Sequence, residues 1–179
     1  MRSVCYAVNS EITLTEIRRS DKAAFLEYLV EKEIYDFTLA IPHPYREDDA
    51  DEWIRLNEAR LEGEAPVTTF AIRKGESLIG CCGFLESHGP MKHTSEIGYW
   101  IGKPHWGQGI MSLVVGQLCE IGFNELGLFR ITAHIFSHNG RSERVLIKNG
   151  FKHEGVLRSH YLKDGKFRDA KIFARLKTD

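Results

Sequence analysis

The chain has 179 residues, of which 42% are hydrophobic and 27% charged, and this is enough for one domain with a buried core. It has no apolar run of 18 residues and no apolar segment typical of a signal peptide, so we expect no membrane association and a cytoplasmic protein. The net charge of −1 combines −8 over residues 1–128 with +7 over residues 129–179. The basic half suits phosphate groups and the acidic half suits a cationic amine, unless both are merely solvated surfaces.

The first third of the chain predicts one strand and two helices. The strand is predicted over residues 11–18, where apolar and polar residues alternate. Ser20 is the expected N-cap of a helix whose Phe25, Leu29 and Val30 face the core. After a loop rich in proline, a second helix begins at the acidic residues 47–52. Acids stabilise a helix N-terminus through its dipole, and we prefer this role to a substrate site.

The middle of the chain predicts three strands of one sheet. Residues 67–73 and 77–86 form an antiparallel hairpin around Gly75, and residues 94–101 extend the sheet. The cysteines have no spacing typical of a metal site, so no metal is expected and buried free thiols are the prediction. They are Cys5, Cys81, Cys82 and Cys119.

The last third predicts a helix, a strand, a short helix and a hairpin. The helix follows Gly109, ends near Gly127 and carries an apolar face of Ile110, Leu113, Val114, Leu118 and Ile121. The later elements are residues 129–136, 139–149, 151–162 and 166–176. Together these elements predict a single α/β domain over residues 1–179, with a mixed (α+β) sheet of about seven strands and helices on both faces. A parallel crossover is required only between residues 94 and 150.

The function is best indicated by residues 94–112. Here a strand ends at Gly102, and Gly107 and Gly109 lead into the helix. The first turn of a helix leaves backbone N–H groups unpaired and carries roughly +0.5 of an elementary charge. Because glycines let a ligand approach the backbone, the turn is suited to an anion such as phosphate. The alternative is a plain strand-to-helix turn that binds nothing.

Two familiar phosphate-binding patterns do not fit this turn. A P-loop requires Lys and Ser or Thr after its last glycine, and Ile-Met-Ser follows Gly109. A dinucleotide-binding turn requires an acidic residue about 20 positions further on, at the end of the next strand. Residues 127–135 contain neither Asp nor Glu, which excludes the second pattern.

The same residues resemble a third pattern, the acetyl-CoA motif of the GNAT acetyltransferases. The resemblance rests on Glu96-Ile-Gly-Tyr-Trp-Ile101 and Trp106-Gly-Gln-Gly-Ile-Met-Ser112. Asn139-Gly-Arg-Ser142 and Lys148-Asn-Gly-Phe151 are similar to elements of one branch, which contains the ribosomal-protein N-terminal acetyltransferases RimJ and RimL. One departure is Met111, where the superfamily usually has glycine or alanine. The resemblance implies the GNAT-like acyl-CoA N-acyltransferase fold.

The resemblance also implies a set of residues that bind acetyl-CoA. Backbone N–H groups near the end of the strand would hold the thioester and the pantetheine arm, and the turn would hold the pyrophosphate. The strand residues are Tyr99, Trp100 and Ile101. The turn residues are Trp106, Gly107, Gln108, Gly109, Ile110, Met111 and Ser112. Asn139 would bond the pantetheine arm.

Ser142 inherits the role of general acid for the leaving thiolate from the same branch. Many GNAT enzymes use a tyrosine seven residues after the asparagine, but that position is Leu146 here. A helix cap is the alternative role for Ser142, and Tyr161 is a second candidate acid. The catalytic base is predicted to be Glu96, with a structural hydrogen bond as the alternative.

The histidines show no metal spacing, and His138 and His160 are candidate proton relays. We therefore interpret the chain as an acetyl-CoA-dependent N-acetyltransferase, most similar to enzymes that acetylate protein N-termini. The alternatives are an acetyltransferase for a polyamine, an amino acid or an antibiotic, and an acyl-CoA-binding module without turnover. We expect an amine substrate, such as the N-terminus of a basic protein, and no direct nucleic-acid binding. A homodimer is compatible with this interpretation.

Overall fold

A computed structural model of the chain describes residues 3–63, 65–85 and 87–179. These ranges contain eight strands and five α-helices. The strands are β1 (Cys5–Ala7), β2 (Ile12–Thr15), β3 (Thr69–Lys74), β4 (Ser77–Phe84), β5 (Thr94–Ile101), β6 (Arg130–Phe136), β7 (Lys152–Lys163) and β8 (Lys166–Leu176). The helices are α1 (Lys22–Tyr28), α2 (Lys32–Phe37), α3 (Glu47–Glu62), α4 (Ile110–Glu120) and α5 (Gly140–Lys148).

The strands form one mixed sheet in the order β1-β2-β3-β4-β5-β6-β8-β7. β5 and β6 are parallel, whereas β1–β2, β2–β3, β3–β4, β6–β8 and β7–β8 are antiparallel. The prediction of a mixed sheet with a parallel crossover after residue 94 is therefore confirmed. The sheet has eight strands where about seven were expected, because β1, which has only three residues, was not predicted. The predicted end of β4 at Glu86 lies outside the described residues.

The chain divides into two compact units. The first contains Met1–Gly83 and Tyr99–Leu113, and the second contains Phe84–Gly98 and Val114–Asp179. The single domain over residues 1–179 stays a prediction.

In the first unit, the apolar sides of α1, α2 and α3 are buried together with residues of β3 and β4. The cluster comprises Ile17, Phe25, Leu29, Ile34, Tyr45, Ala50, Ile54, Ala71, Leu78 and Cys81. Phe25 and Leu29 face the core as predicted, but Val30 is 49% exposed because α1 ends before it, at Tyr28. The short helix α2 was not predicted.

A buried ion pair joins the start of α1 to β3. Arg73 Nη1 donates to Asp21 Oδ1 at 2.7 Å and Nη2 donates to Asp21 Oδ2 at 2.8 Å, with both side chains 3% exposed. Asp21 Oδ2 also accepts the N–H of Arg18 at 2.8 Å. Ser20 is therefore not the N-cap, since it lies in the 3₁₀ turn Arg19–Asp21 that Asp21 stabilises.

The acidic start of α3 has structural roles, in line with the preferred interpretation. Asp49 Oδ2 accepts the N–H of Arg46 at 2.8 Å, which closes the first turn. Lys22 pairs with Glu47 at 3.1 Å and with Asp51 at 2.9 Å. These contacts occupy three of the acids without any substrate.

In the second unit, the core lies between β6 and the helical segment that follows Val114. Ile131, Ala133 and Ile135 are buried on one face of β6. Gly122 lies so close to this strand that a Cβ there would be 2.8 Å from Ile131 Cδ1. After α4 the chain makes a π turn, Ile121–Glu125, and leaves the helix through Gly127 at φ +65°. The predicted helix end is confirmed.

One residue was wrongly assigned to the apolar face predicted for α4. Leu113 is 48% exposed, whereas Val114, Val115, Leu118 and Cys119 are fully buried. Successive residues of a helix are about 100° apart, so Leu113 lies well away from the centre of a face formed by these four.

The two hairpins and three of the cysteines agree with the sequence analysis. The β3–β4 turn has Gly75 at φ +58°, and the β7–β8 turn has Asp164 at φ +50° and Gly165 at φ +69°. Two successive positive values are the signature of a type I′ turn. All four cysteines are free, but Cys5 is exposed because β1 is an edge strand. The expectation of a buried thiol is wrong for Cys5.

None of the helices in the described ranges is both long and apolar enough to cross a membrane. The longest of them, α3, has 16 residues and carries acidic and basic side chains throughout.

Candidate active site

The glycine turn lies in the first unit, between β5 and α4. After β5, a 3₁₀ turn over Lys103–His105 leads to Gly107 at φ +76° and Gly109 at φ +77°. A Cβ at either glycine would meet no atom within 4 Å, so glycine is needed for its backbone conformation and not for lack of space. The predicted sequence of strand, double-glycine turn and helix is confirmed.

The side chains around the turn hold its shape. Trp106 Nε1 donates to the carbonyl of Ile101 at 2.8 Å. Gln108 Nε2 donates to the carbonyl of Pro104 at 3.0 Å. Both side chains are therefore engaged with the chain that precedes them, and the main chain is the part of the turn that can bind a ligand.

Five consecutive N–H groups of this turn are available. Among the described residues, none accepts a hydrogen bond from the N–H of residues 107–111. The next two N–H groups, of Ser112 and Leu113, both bond the carbonyl of Gly109. Unpaired N–H groups in a turn of positive φ at a helix N-terminus form a site for an anion.

The end of β5 supports the turn. Tyr99, Trp100 and Ile101 are half-buried, and the Trp100 ring lies 6.1 Å from that of Phe25 in the core of the first unit. The Trp100 side chain is thus a packing residue of the first unit.

The parallel pairing of β5 and β6 is short. Its register comprises Thr94–Arg130, Ser95–Ile131 and Glu96–Thr132, and no pair follows within the described strands. The two strands are therefore not bonded beyond Glu96.

The start of α5, in the second unit, places Asn139 and Ser142 together. Asn139 is 7% exposed, and its Oδ1 accepts the N–H of Ser142 at 3.1 Å. Asn139 is therefore the N-cap, and Ser142 is three residues into the helix. Neither Asn139 Nδ2 nor Ser142 Oγ bonds any described residue. Both polar groups are available, and the capping role considered for Ser142 belongs to Asn139.

A cluster of polar side chains surrounds Glu96 in the same unit. Glu96 Oε2 lies 3.1 Å from His134 Nδ1. The His134 ring makes an edge contact with the His160 ring at 6.0 Å, and the latter lies 4.5 Å from the ring of Tyr161. The register explains this, since Glu96 pairs with Thr132 and His134 lies two residues further on the same face of β6.

Burial shifts the acid–base properties of this cluster. It raises the pKa of Glu96 above its ordinary value, and the neighbouring His134 and His160 oppose this shift only in part. Burial, together with the negative charge of Glu96, raises the pKa of Tyr161 to about 12. Tyr161 is therefore a poor proton donor, which weakens its candidacy as general acid.

The structure thus brings the predicted residues into three groups: residues 107–112, the pair Asn139 and Ser142, and Glu96 with His160 and Tyr161. His138 lies elsewhere in the same unit, where its ring stacks on that of Phe136 at 5.6 Å. Sequence reasoning missed His134 as the partner of Glu96. The contact could have been inferred from the parallel pairing of β5 with the strand that begins after Phe129. In such a pair, every second residue of each strand lies on the same face of the sheet.

Within the described ranges, no group of three or more His, Cys, Asp and Glu side chains could hold a metal ion.

Comparisons with known proteins agree with this geometry. The family model of the acetyltransferase (GNAT) domain matches residues 11–152. The N-acetyltransferase p20 of Bacillus licheniformis is 29% identical over 171 residues, which cover 94% of each chain. The ribosomal-protein-serine acetyltransferase of Escherichia coli (strain K12) is 33% identical over 130 residues, which cover 73% of this chain and 72% of the relative.

Among solved structures, RimL, a ribosomal L7/L12 α-N-protein acetyltransferase in complex with coenzyme A, superimposes with a TM-score of 0.83. The match covers 97% of this chain and 98% of RimL at 18% identity, and it shows the shared fold. The module without turnover is not favoured, since the matched relatives are named as acetyltransferases. The chain therefore belongs to the GNAT family and is an N-acetyltransferase.

Proposed function

We propose that this enzyme transfers the acetyl group of acetyl-CoA directly to the free α-amine of a basic peptide or protein. The observation that carries the proposal is the row of unbonded N–H groups of residues 107–111 at the start of α4. Acetyl-CoA supplies the acetyl group as a thioester. The residues of this chain bind the donor, orient it and move protons.

The donor is held by main-chain and side-chain hydrogen bonds. The N–H groups of residues 107–111 bind its pyrophosphate, helped by the positive end of the α4 dipole, whereas the predicted N–H of Ser112 is already bonded to Gly109. Backbone N–H groups of Tyr99, Trp100 and Ile101 bind the thioester and the pantetheine arm. Asn139 fits an amide of that arm, because its Oδ1 is engaged as a cap while its Nδ2 is available to donate.

Ser142 acts as the general acid. Its Oγ donates a proton to the leaving thiolate and takes up the second proton of the amine, so that the hydroxyl is regenerated. The unbonded Oγ of Ser142 supports this role, since no described residue has to give up a hydrogen bond when it acts.

The pair of Glu96 and His134 supplies the base that removes the first proton of the amine. An α-amine with a pKa of about 7.8 costs only about 1 kcal/mol to deprotonate at pH 7, whereas a lysine with a pKa of about 10.4 costs about 4.6 kcal/mol. A carboxylate and an imidazole are adequate bases for an α-amine and weak bases for the side chain of lysine. This favours an α-amine acceptor.

The charge distribution favours a basic acceptor. Residues 1–128 carry −8, and several of their acids lie at the exposed start of α3. A cationic peptide is attracted to such a surface at long range, which raises kcat/KM more than it raises kcat.

The proposal is tested with basic peptides that carry a free or a blocked N-terminus, compared with polyamines and amino acids at 0.01 M and 0.15 M salt. We expect acetylation only of free N-termini. The kcat/KM should fall with salt as the Debye length shortens from about 30 Å to about 8 Å. Equal rates on blocked peptides that contain lysine would refute the α-amine acceptor, and higher rates on polyamines or amino acids would favour a small-molecule enzyme.

We further propose a cytoplasmic location, which agrees with the four free cysteines. The homodimer and the absence of direct nucleic-acid binding stay predictions.

A further inference from the structure

The contact between Glu96 and His134 defines which nitrogen of the imidazole can act. His134 Nδ1 lies 3.1 Å from Glu96 Oε2, so the nearby negative charge favours the imidazole proton on Nδ1. In a neutral imidazole the other nitrogen then carries the lone pair. Among the described residues, none bonds His134 Nε2. Nε2 is therefore an acceptor without a partner on a ring whose orientation is fixed.

A second contact holds the same ring from β7. The His160 ring meets the His134 ring edge-on, with the centroids 6.0 Å apart and the planes at 84°. His160 in turn packs on Tyr161, which makes an edge contact with Phe136 at 5.5 Å. The ring of His134 is thus held by a carboxylate at Nδ1 and by an aromatic side chain.

An irregularity of β7 places His160 in this position. Leu157 pairs with Ala170 and Tyr161 with Arg168, so residues 158–160 all lie opposite Asp169. Ser159 in this bulge has φ +51°, which is unfavourable for a residue with a Cβ. Strained bulges of this kind are retained where the surrounding structure holds them, often beside an active site.

Asp169 holds the bulge at two points. Its Oδ1 accepts the N–H of Ser159 at 2.7 Å, and its backbone carbonyl accepts the N–H of Ser137 at 3.0 Å. The first bond fixes the strained residue next to His160. The second joins Asp169 itself, on β8, to the residue that follows β6, the strand that carries His134.

We propose that His134 is the catalytic base, with Nε2 taking the proton of the acceptor amine, and that Glu96 and Asp169 are positioning residues. This inference rests on the proposed function and specifies its base. The ordinary pKa of an imidazole, near 6.5, is closer to the pKa of an α-amine than the ordinary pKa of a carboxylate is. A base whose pKa is near the operating pH is the more effective catalyst.

The proton balance is complete without a further reactant. The ammonium group of the acceptor loses one proton to His134 Nε2, and its nitrogen then forms the new C–N bond as the C–S bond breaks. The second proton reaches the thiolate through Ser142. Glu96 stabilises the imidazolium that forms, in the way that a carboxylate orients the base of a nucleophile–base pair. The imidazolium releases its proton to water.

The experiment compares His134→Gln, His134→Ala, Glu96→Gln and the matched control His153→Gln. His153 lies on β7, as His160 does, and its ring packs on that of Phe173. We expect kcat to fall 10²- to 10⁴-fold in His134→Gln. The Kd for acetyl-CoA and the Tm should remain near the parent values, and the control should keep parent activity. Added imidazole should restore part of the rate of His134→Ala, which a purely structural role would not allow.

The positioning roles have their own readouts. Asp169→Asn keeps the acceptor oxygen and should retain most of kcat, whereas Asp169→Ala should lower kcat about tenfold or more with little change in the KM for acetyl-CoA. Glu96→Gln should lower kcat less than His134→Gln does.

The outcomes separate this inference from the proposed function. If the parent enzyme acetylates α-amines but His134→Gln stays within about threefold of its kcat, His134 is not the base. A loss that is larger in Glu96→Gln than in His134→Gln assigns the base to Glu96. If the parent enzyme acetylates no α-amine, the proposed function fails first.

Discussion

Asn139 accepts the backbone N–H of Ser142 at 3.1 Å, and this one bond separates the roles of two neighbouring polar residues. It makes Asn139 the cap of α5 and leaves the hydroxyl of Ser142 unbonded by any described residue. The sequence allowed a capping role or a catalytic role for Ser142. With the cap provided by Asn139, a substitution of Ser142 should affect activity and not the stability of the helix.

Ser142→Ala should therefore lower kcat 10²- to 10⁴-fold, the range typical of a general acid, with little change in the Kd for acetyl-CoA. Its Tm should stay near that of the parent, since the substitution breaks no hydrogen bond within the described structure. Steady-state kinetics and calorimetry measure the two effects. A turnover within about threefold of the parent would show that Ser142 is not the acid.

Two substitutions of Asn139 should have different effects. Asn139→Asp keeps an oxygen that caps α5 but removes the Nδ2 donor, so acetyl-CoA binding should weaken while stability is retained. Asn139→Ala removes both and should also cost about 0.5–2 kcal/mol of stability. Chemical denaturation and calorimetry on both variants separate the two roles. Parent affinity in Asn139→Asp would exclude a hydrogen bond from Nδ2 to the donor.

Gly109→Ala should weaken acetyl-CoA binding roughly 10- to 100-fold, because the loss of one or two bonds to a charged phosphate costs about 1.5–3 kcal/mol. The control is Gly165→Ala in the β7–β8 turn, where φ is +69° and a Cβ also meets no atom within 4 Å. Both variants should lose a similar amount of stability to the unfavourable φ. Equal affinities for acetyl-CoA in the two variants would contradict the assignment of the turn.

Glu96→Gln should make the protein more stable at neutral pH. The pKa of Glu96 is raised in the folded state, mainly by burial, so the folded state binds a proton more tightly than the unfolded state. The stabilising contribution of Glu96 is therefore fully present below the pKa of the unfolded state, near 4.5. It is lost as the pH rises through the raised pKa of the folded state. The Tm difference between variant and parent should grow over that range. A constant difference from pH 4 to pH 8 would contradict this.

The parts of the molecule that the sequence predicts are those determined by local chemistry. The turn at Gly107 and Gly109, the helix end at Gly127 and the hairpin at Gly165 each follow from a few adjacent residues. Leu113 was placed wrongly because its spacing fits an apolar face, and only packing shows that the buried face is centred between Val114 and Leu118.

The contact between Glu96 and His134 was harder to predict because it depends on strand pairing at long range. Glu96 and His134 meet since β5 and β6 are parallel in the register that pairs Glu96 with Thr132. No local pattern around His134 indicates this contact. The bulge at Ser159 was not predicted either, because its conformation is unfavourable for serine. It persists because the Ser159 N–H donates to the carboxylate of Asp169 on the next strand.

The unbonded donors of residues 107–111 belong to the main chain, and this affects how the turn can diverge in evolution. Every amino acid except proline supplies an N–H, so exchanges at Gln108 or Met111 leave the donors in place. Methionine at a position where relatives of this type usually have a small residue is therefore tolerable for anion binding. Side-chain identity can drift here without loss of the donors of the proposed phosphate site, provided that the two glycines remain and no proline enters.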